Sequence, residues 1–285
     1  MKRFIIWYQR LTKQVRFSIS ISLLVIGFIS TLMTILGFSL GTWFDSYCVR
    51  ILIVLGIGIA IFFCAYYYIG VTYKDKIDLV IGTTPVSIVC GNIFNTPGWK
   101  VIGCDTHFDT RVDDIVISKS SLHGQLVLNH GSKQDIEDAV EKKARKLNLQ
   151  KNSNEQYDFE LGTVIKYESN IDNETYFMLA LTKLDNQYKA YTNMADYEQM
   201  LMKMWSEIDS LYARHDIVLP LLGTGITRFR EGPKGDEALL RCMLCTLNSS
   251  GINFKSKVKI VIYGNTTDIP LYEYKDMFRM FPSSK

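Results

Sequence analysis

Residues 17–44 read FSISISLLVIGFISTLMTILGFSLGTWF, and after the short stretch 45–50 residues 51–73 read ILIVLGIGIAIFFCAYYYIGVTY. Neither segment contains Asp, Glu, Lys, Arg or His. The hydrocarbon core of a bilayer takes about 20 apolar residues per helix, and both segments exceed that length. A cleavable signal peptide has a shorter apolar core and is not followed at once by a second span. The two segments therefore read as a transmembrane hairpin. The mixed polar and apolar sequence after them reads as a soluble domain, dividing the chain into residues 1–76 and 77–285.

Basic residues near spans concentrate on the cytoplasmic side. Lys2, Arg3, Arg10, Lys13 and Arg16 precede the first span, and Lys74 and Lys76 follow the second. The connection from Gly41 to Arg50 offers only Arg50 beside Asp45. Both termini are therefore expected in the cytoplasm, with the hairpin in the cell (inner) membrane. Ionisable groups at membrane depth mark proton relays, ion paths and voltage sensors, so their absence gives a transporter no support. Ser18, Ser22, Gly27, Ser30, Thr31, Thr34, Gly37, Gly56 and Gly58 allow helices to approach closely, within one hairpin or between protomers. Little but Lys74-Asp75-Lys76 separates the second span from the apolar run Ile77 to Ile81, with no Gly/Ser-rich or Pro-rich linker. A movement of the domain would thus pass directly to the helices.

Of 32 basic and 29 acidic residues, eight and two fall in the first 76, leaving 24 and 27 in the soluble part. That part is slightly acidic and has no basic run, which argues against nucleic acid as a partner. Cys48 and Cys64 lie in or beside the second span, whereas Cys90, Cys104, Cys242 and Cys245 face a reducing compartment, so the six cysteines form no disulfide framework. Cys242 and Cys245 make a CxxC, but within the apolar helical pattern Ala238 to Leu247 that spacing puts two small buried residues on one face, and zinc requires further ligands. The four histidines, His107, His123, His130 and His215, have no metal-binding spacing. No Gly-x-Ser-x-Gly or Cys/His nucleophile pattern is present. No metal, cofactor or catalytic residue is assigned.

Apolar β-type runs occupy Val86 to Cys90, Val101 to Cys104, Gly162 to Tyr167, Tyr176 to Leu181, Ile217 to Leu222 and Val258 to Tyr263. Several are continuously apolar, as strands covered on both faces are. Helical patterns intervene at Ile136 to Leu147, Ala195 to Arg214 and Glu237 to Leu247. Alternating strands and helices predict an α/β sandwich with ligands beyond the carboxyl ends of its strands. Three loops stand there: Gly91-Asn92-Ile93-Phe94, Asp105-Thr106-His107-Phe108-Asp109-Thr110, and Gly223-Thr224-Gly225-Ile226. Glycines let backbone N–H groups approach an anion, and a following helix N-terminus favours it, a combination suited to a diphosphate. A Gly-x-Gly after a strand is equally a tight turn. The fingerprints GxGxxG and GxxxxGK[ST] are absent, so Rossmann and P-loop sites are not supported.

In this order the three loops resemble those of the macro domain, the ADP-ribose-binding module. Its first loop usually reads Gly-Asp-Ile-Thr; here Asn92 replaces the acidic residue, and an amide oxygen still accepts from an adenine amino group. The Asn-Ala-Ala-Asn segment and glycine run of hydrolytic macro domains are missing. The stretch Cys104 through Gly124, with Phe108-Asp109-Thr110, Val112-Asp113-Asp114 and Ser121-Leu122-His123-Gly124, is similar to that of the membrane effectors of type II Thoeris antiphage defence, which likewise carry two transmembrane helices before the macro domain.

The resemblance implies a macro-domain-like three-layer α/β/α sandwich behind a two-helix transmembrane hairpin. It implies a partner TIR-domain enzyme that converts NAD into an ADP-ribose conjugate, histidine-ADP-ribose, which the effector binds before its membrane part harms the cell. Backbone amides of Gly223, Thr224, Gly225 and Ile226 are then expected to hold the diphosphate, with Arg228 adding charge. Gly91, Asn92 and Ile93 would meet adenine, with Tyr263 as a stacking face. Asp105, Asp109, His123 and Gly124 would surround the distal ribose and the conjugated group, a carboxylate pairing with a cationic imidazole or amine. His107 and His123 are equally readable as structural loop residues. Sensing, with homo-oligomers forming against membrane lipid, is the expected function; a membrane-tethered ADP-ribosyl hydrolase and a constitutive scaffold with a degenerate pocket are the alternatives.

Overall fold

The computed structural model describes residues 13–37, 46–72, 76–184, 190–225, 228–264 and 281. Among these, the helices before residue 73 form one compact unit and the chain from Lys76 to Tyr263 another. In the first unit, α1 spans Lys13–Ile35 and α2 spans Tyr47–Thr72. Their segments Ser18–Ile35 and Tyr47–Tyr68, of mean hydropathy 2.1 and 2.6, are long and apolar enough to cross a membrane. Within the first expected span, 17–44, α1 stops at Ile35 in a turn at Leu36 and Gly37, where the Gly37 N–H donates to the Thr34 carbonyl. The rest of that span, 38–44, lies outside the described residues, as does the junction 73–75.

The hairpin divides the small residues. Ser18 and Ser22 are buried, and a Cβ at Gly58 would sit 3.8 Å from Ile26 Cδ1 on α1. Gly27 and Gly56 have open space around them, and Ser30, Thr31 and Thr34 are exposed, the two threonine hydroxyls donating to carbonyls one turn back. Helix packing within the hairpin therefore uses only part of the set.

The second unit opens with a hairpin of β1 (Lys76–Ile81) and β2 (Thr84–Cys90). There follow β3 (Trp99–Asp105), the short helix α3 (Leu122–Gln125) running into a π-helical turn at Leu126–His130, and α4 (Lys133–Lys146). The chain continues through β4 (Val164–Glu168), β5 (Thr175–Leu184), β6 (Ala190–Thr192) and α5 (Met194–Leu211). It ends with β7 (Ile217–Pro220), β8 (Arg228–Phe229), α6 (Asp236–Ser249) and β9 (Val258–Ile262). The strands form one sheet in the order β1-β2-β9-β7-β3-β5-β6-β8, with β4 also paired to β5. The central pairs β2/β9, β9/β7, β7/β3 and β3/β5 are parallel, and β1/β2, β4/β5 and β5/β6 are antiparallel.

Burial on both faces explains why these strands read as continuous apolar runs. Ile102, Cys104, Met178, Val218 and Val261 join Ile136, Val140 and Ala144 of α4 in one core. The alternate residues Val101, Phe177, Leu219 and Ile260 point the other way and are equally inaccessible, under α5 and α6. Those two helices are locked by Trp205, whose indole N–H donates to Thr246 Oγ1 at 3.2 Å. Residue 162 falls in a turn before β4 rather than in the expected strand. Cys242 is buried in α6, and burial pushes its thiol up to about 12, unlike a metal-binding or redox thiolate.

Candidate functional site

The parallel strands β2, β9, β7 and β3 bring their carboxyl ends to one edge. There the Gly91 N–H donates to the Ile262 carbonyl at 2.9 Å and the Leu221 N–H to the Val261 carbonyl at 3.0 Å, tying the strand ends together. At this edge opens a cavity of about 740 Å³, within the range of small-molecule sites. Gly91, Ile93, Asp105, His123, Gly223, Thr224, Gly225 and Tyr263 all line it.

The loop Gly223-Thr224-Gly225 is built for backbone contact. Gly223 has φ +87°, where a side chain would strain the backbone. The Tyr197 hydroxyl donates to the Leu222 carbonyl and the Thr224 hydroxyl to the Leu221 carbonyl, both at 2.9 Å, fixing the loop from beneath. The N–H groups of Gly223, Thr224 and Gly225 donate to none of the described residues, leaving adjacent donors at the cavity. Ile226 lies outside the described residues. Tyr263, just past β9, is 81% exposed and is one of the cavity's lining residues.

At the end of β3 the register with β5 slips, Cys104 pairing with Ala180 and Asp105 with Thr182, so that Leu181 is left over. Such bulges re-aim side chains next to sites. Asp105 is 6% exposed, and its Oδ1 accepts the His107 N–H at 2.7 Å. Its Oδ2 stands 4.0 Å from His123 Nδ1. His123 is buried, and its Nε2 meets no hydrogen-bond partner among the described residues. Burial holds the imidazole below its ordinary value against the pull of the Asp105 and Asp109 charges, so His123 is neutral at neutral pH.

Three expected contacts, Asn92, Gly124 and Arg228, are not among the cavity's lining residues, and His107 has a partner of its own. Asn92 Oδ1 accepts the Phe94 N–H at 3.0 Å, capping the turn Ile93–Asn95, and the side chain does not line the cavity. Gly124 is buried with its N–H on Ser121 Oγ at 3.0 Å, and a Cβ there would come within 2.2 Å of the Ser118 carbonyl oxygen. It therefore serves the close approach of α3 to the preceding loop. Arg228 is exposed on β8, beside Tyr191 of β6, outside the lining. His107 gives its Nδ1 to the Tyr157 carbonyl at 2.9 Å, a structural bond.

Asp109 also lies outside the lining; its carboxylate grips Arg111 Nε and Nη2 at 2.6–3.1 Å and accepts from Gln156 at 2.9 Å. Burial raises the Asp109 carboxyl, but the Arg111 guanidinium and N–H and the Gln156 amide outweigh it and hold it below its ordinary value of 3.8. A carboxyl depressed in the fold stabilises above its unfolded pKa and loses that contribution as pH falls through the folded value. Asp109→Asn should accordingly flatten the loss of stability below about pH 4, read as urea midpoints from pH 6 down to pH 3. An unchanged acid slope would show that the Arg111 pair contributes nothing to folding.

The cavity also contains residues that the motifs did not nominate. Val116, Ile117, Ser118, Ser120, Ser121 and Gln125 form one wall, Leu181, Thr182, Leu184 and Ala190 another, and Asp236 opens α6. Asp113 Oδ1 accepts the Ile115 and Val116 N–H groups and Asp114 Oδ1 that of Lys119, all at 2.8 Å, which folds the first wall. Thr182 lies near the carboxyl end of β5, paired with Asp105 of β3, and the carboxyl-end rule applied to every strand would have found it. Among the described lining residues are two carboxylates, Asp105 and Asp236, and no Lys or Arg. Among the described residues no three His, Cys, Asp or Glu side chains come together as a metal site.

The family profile described as "Thoeris protein ThsA, Macro domain" matches residues 86–263, more than half of the chain and nearly all of the sheet and cavity. The chain belongs to this family. A curated relative, "Thoeris protein ThsA" of Bacillus amyloliquefaciens (strain Y2), is 29% identical over 274 residues, covering 92% of this chain and 88% of the relative. At that coverage the match reaches beyond the ThsA-type domain into the N-terminal apolar helices. The solved macrodomain of Oceanobacillus iheyensis with ADP superposes at a TM-score of 0.50 with 14% identity, covering 72% of this chain and 97% of that one. At that identity the likeness speaks for the fold, and it agrees: the second unit is a macro-domain-like α/β sandwich.

Proposed function

We propose that this ThsA-family chain is a membrane-anchored antiphage effector that senses an ADP-ribose-derived signal made by a TIR-domain enzyme. In this reading residues 1–76 anchor the protein in the cell membrane with both termini in the cytoplasm, and residues 77–285 form the cytosolic sensor. The observation that carries it is the loop 223–225, whose N–H groups donate to none of the described residues and which lines a cavity of about 740 Å³ at the carboxyl edge of a macro-type sheet. Backbone donors on a glycine loop suit a diphosphate and need no cationic side chain.

Histidine-ADP-ribose is the ligand we favour over ADP-ribose itself. A cavity with two carboxylates and no Lys or Arg among its described lining repels a bare dianion and gains from a ligand that also bears a positive group. The cation partners are Asp105 and Asp236, since Asp109 is committed to Arg111. Ligand then drives assembly of protomers, and clustering of the hairpins disrupts the membrane; the open surfaces at Gly27 and Gly56 leave room for a second hairpin. Ligand can do this only by binding the assembled form more tightly.

Calorimetric titration of the full chain in detergent with both ligands, followed by recovery of each ligand and sizing of the protein, tests the proposal. Tighter binding of intact histidine-ADP-ribose, with growth in particle size at saturation, is expected. Cleavage of the conjugate would make the chain an ADP-ribosyl hydrolase; unchanged size would remove the assembly step. Failure of both ligands to bind would leave a scaffold.

A further inference from the structure

The strand order of the second unit ends in β8 on one side and β1 on the other. β8 has two residues, too few to carry a pairing, whereas β1 has six and forms an antiparallel hairpin with β2. Which backbone groups of β1 face outward follows from the turn. Gly82 and Thr83 make a two-residue loop, with Gly82 at φ +60°, so the closing pair Ile81/Thr84 exchanges hydrogen bonds. Bonded and non-bonded pairs alternate from there, so that Leu79/Val86 and Ile77/Ile88 are bonded and Val80/Pro85 and Asp78/Ser87 are not. Pro85, which has no N–H to give, stands in a non-bonded pair, as that phase requires. The N–H and C=O groups of Asp78 and Val80 therefore point away from β2, and none of these groups meets a partner among the described residues.

Free edges are ordinarily guarded by a proline, a bulge or a charge directed across the edge. β1 contains no proline, and its register with β2 runs unbroken from Lys76 to Ile81. Its charges are occupied on the face of the sheet: Asp78 accepts from Ser87 Oγ and pairs with Lys76 Nζ at 3.0 Å and Lys257 Nζ at 3.9 Å. Leu79 and Ile81 are buried on the opposite face, which holds β1 in that register. Such an edge takes another extended strand, and a second β1 fits it. Antiparallel about a two-fold axis at Leu79, the segment Ile77 to Ile81 overlaps fully with its copy. Asp78 then stands opposite the partner's Val80, each pair exchanging both hydrogen bonds. An axis at Asp78 would set two carboxylates against each other, and an axis at Val80 would leave Asp78 opposite the turn.

We infer that β1 is the surface through which two protomers join, their sheets becoming continuous across a two-fold axis at Leu79. The inference rests on the assembly step of the reading above and names its contact. Three residues separate Thr72, where α2 ends, from Lys76, so pairing two β1 strands brings two hairpins together, which a soluble foreign strand would not do. Lys76 also stands opposite Val89, two residues before Gly91 of the cavity lining, so the ligand site adjoins the start of this strand.

The test is sedimentation of the full chain in detergent, without and with saturating histidine-ADP-ribose, beside calorimetric titration of the same samples. Val80→Pro removes an outward N–H and costs β1 no bond to β2. It should bind the conjugate as wild type does, while roughly tenfold more protein is needed for the ligand-driven growth in mass, since symmetry removes two hydrogen bonds. Should Val80→Pro fail to fold, two exposed-edge variants read the same contact. Val80→Glu sets a carboxylate opposite the partner's Asp78 and should weaken assembly; Val80→Lys meets that carboxylate with a cation and should keep it. Assembly at wild-type concentrations by both Val80→Pro and Val80→Glu would overturn the contact, leaving the edge to residues 265–285 of the chain or to a foreign strand. Equal weakening by Val80→Lys and Val80→Glu would overturn the register about Leu79. If wild-type protein binds the conjugate without growing, the assembly step falls and this contact with it.

Discussion

Gly225→Glu is expected to abolish nucleotide binding, with at least a hundredfold loss of affinity for ADP-ribose, about 3 kcal/mol. A Cβ at Gly225 meets nothing within 4 Å, so the side chain enters open space rather than the core. Its carboxylate would reach the N–H donors of the 223–225 loop itself, filling the anion site from within and repelling a diphosphate. The cavity has no Lys or Arg among its described lining residues to offset that added charge. Stability should hold, because neither Gly223 with its φ of +87° nor the Tyr197 and Thr224 bonds beneath the loop are disturbed. Gly225→Ala, which adds a methyl without charge, should cost far less. Titration with ADP-ribose beside urea unfolding of the same samples separates these effects. Near-normal affinity in Gly225→Glu would mean that the diphosphate is not held by this loop.

The core of the sheet was legible because burial on two faces leaves a one-dimensional trace. Ile217, Val218 and Leu219, or Ile260, Val261 and Ile262, are all buried, so the chain reads as strand without any periodicity argument. β1 was not among the expected strands, since Ile77 to Ile81 reads only as an apolar run close behind the second span. Its pairing with β2, Leu79 opposite Val86, is what makes it a strand. β6 and β8, of three and two residues, are too short to carry a pattern and exist through their partners Leu184 and Tyr191. Apolarity runs on past Ile35 to Phe44, whereas the described helix α1 ends at the local turn of Leu36 and Gly37, a feature that hydropathy does not register.

The site followed the same division. Glycine loops at strand ends are visible in sequence because the chemistry is in the backbone, and Gly91, Gly223 and Gly225 do line the cavity. A side chain's role depends on what stands opposite. Asp109 looks like a ligand carboxylate until Arg111 and Gln156 are seen to occupy it. Asn92 keeps its oxygen for the Phe94 N–H, a local competition that Asn and Asp often win at turn starts. Asp236 was passed over because an acidic residue in a first helical turn has a sufficient reason in the helix dipole. Only the packing of α6 brings it to the cavity.

Gly124→Val is the second large effect expected, and it distinguishes a ligand contact from a packing contact. A Cβ at this position would stand 2.2 Å from the Ser118 carbonyl oxygen, 3.0 Å from its carbon and 3.1 Å from Lys119 Cα, all backbone atoms that cannot rotate away. The loop is also pinned there: Ser121 donates to the Ser118 carbonyl at 2.7 Å, and Asp114 accepts the Lys119 N–H. Relief requires the 118–121 turn and α3 to separate, which would break the Ser121 cap and shift His123. Overpacking of this kind costs about 1–3 kcal/mol, and a branched side chain against backbone belongs at the upper end. Binding should fall too, because one wall of the cavity and the imidazole move together. A residue that touched only ligand would lose affinity while keeping its urea midpoint. If Gly124→Val unfolds at the wild-type midpoint yet fails to bind ADP-ribose, the ligand role for Gly124 returns. If it neither unfolds early nor binds weakly, the 118–121 wall is free to yield.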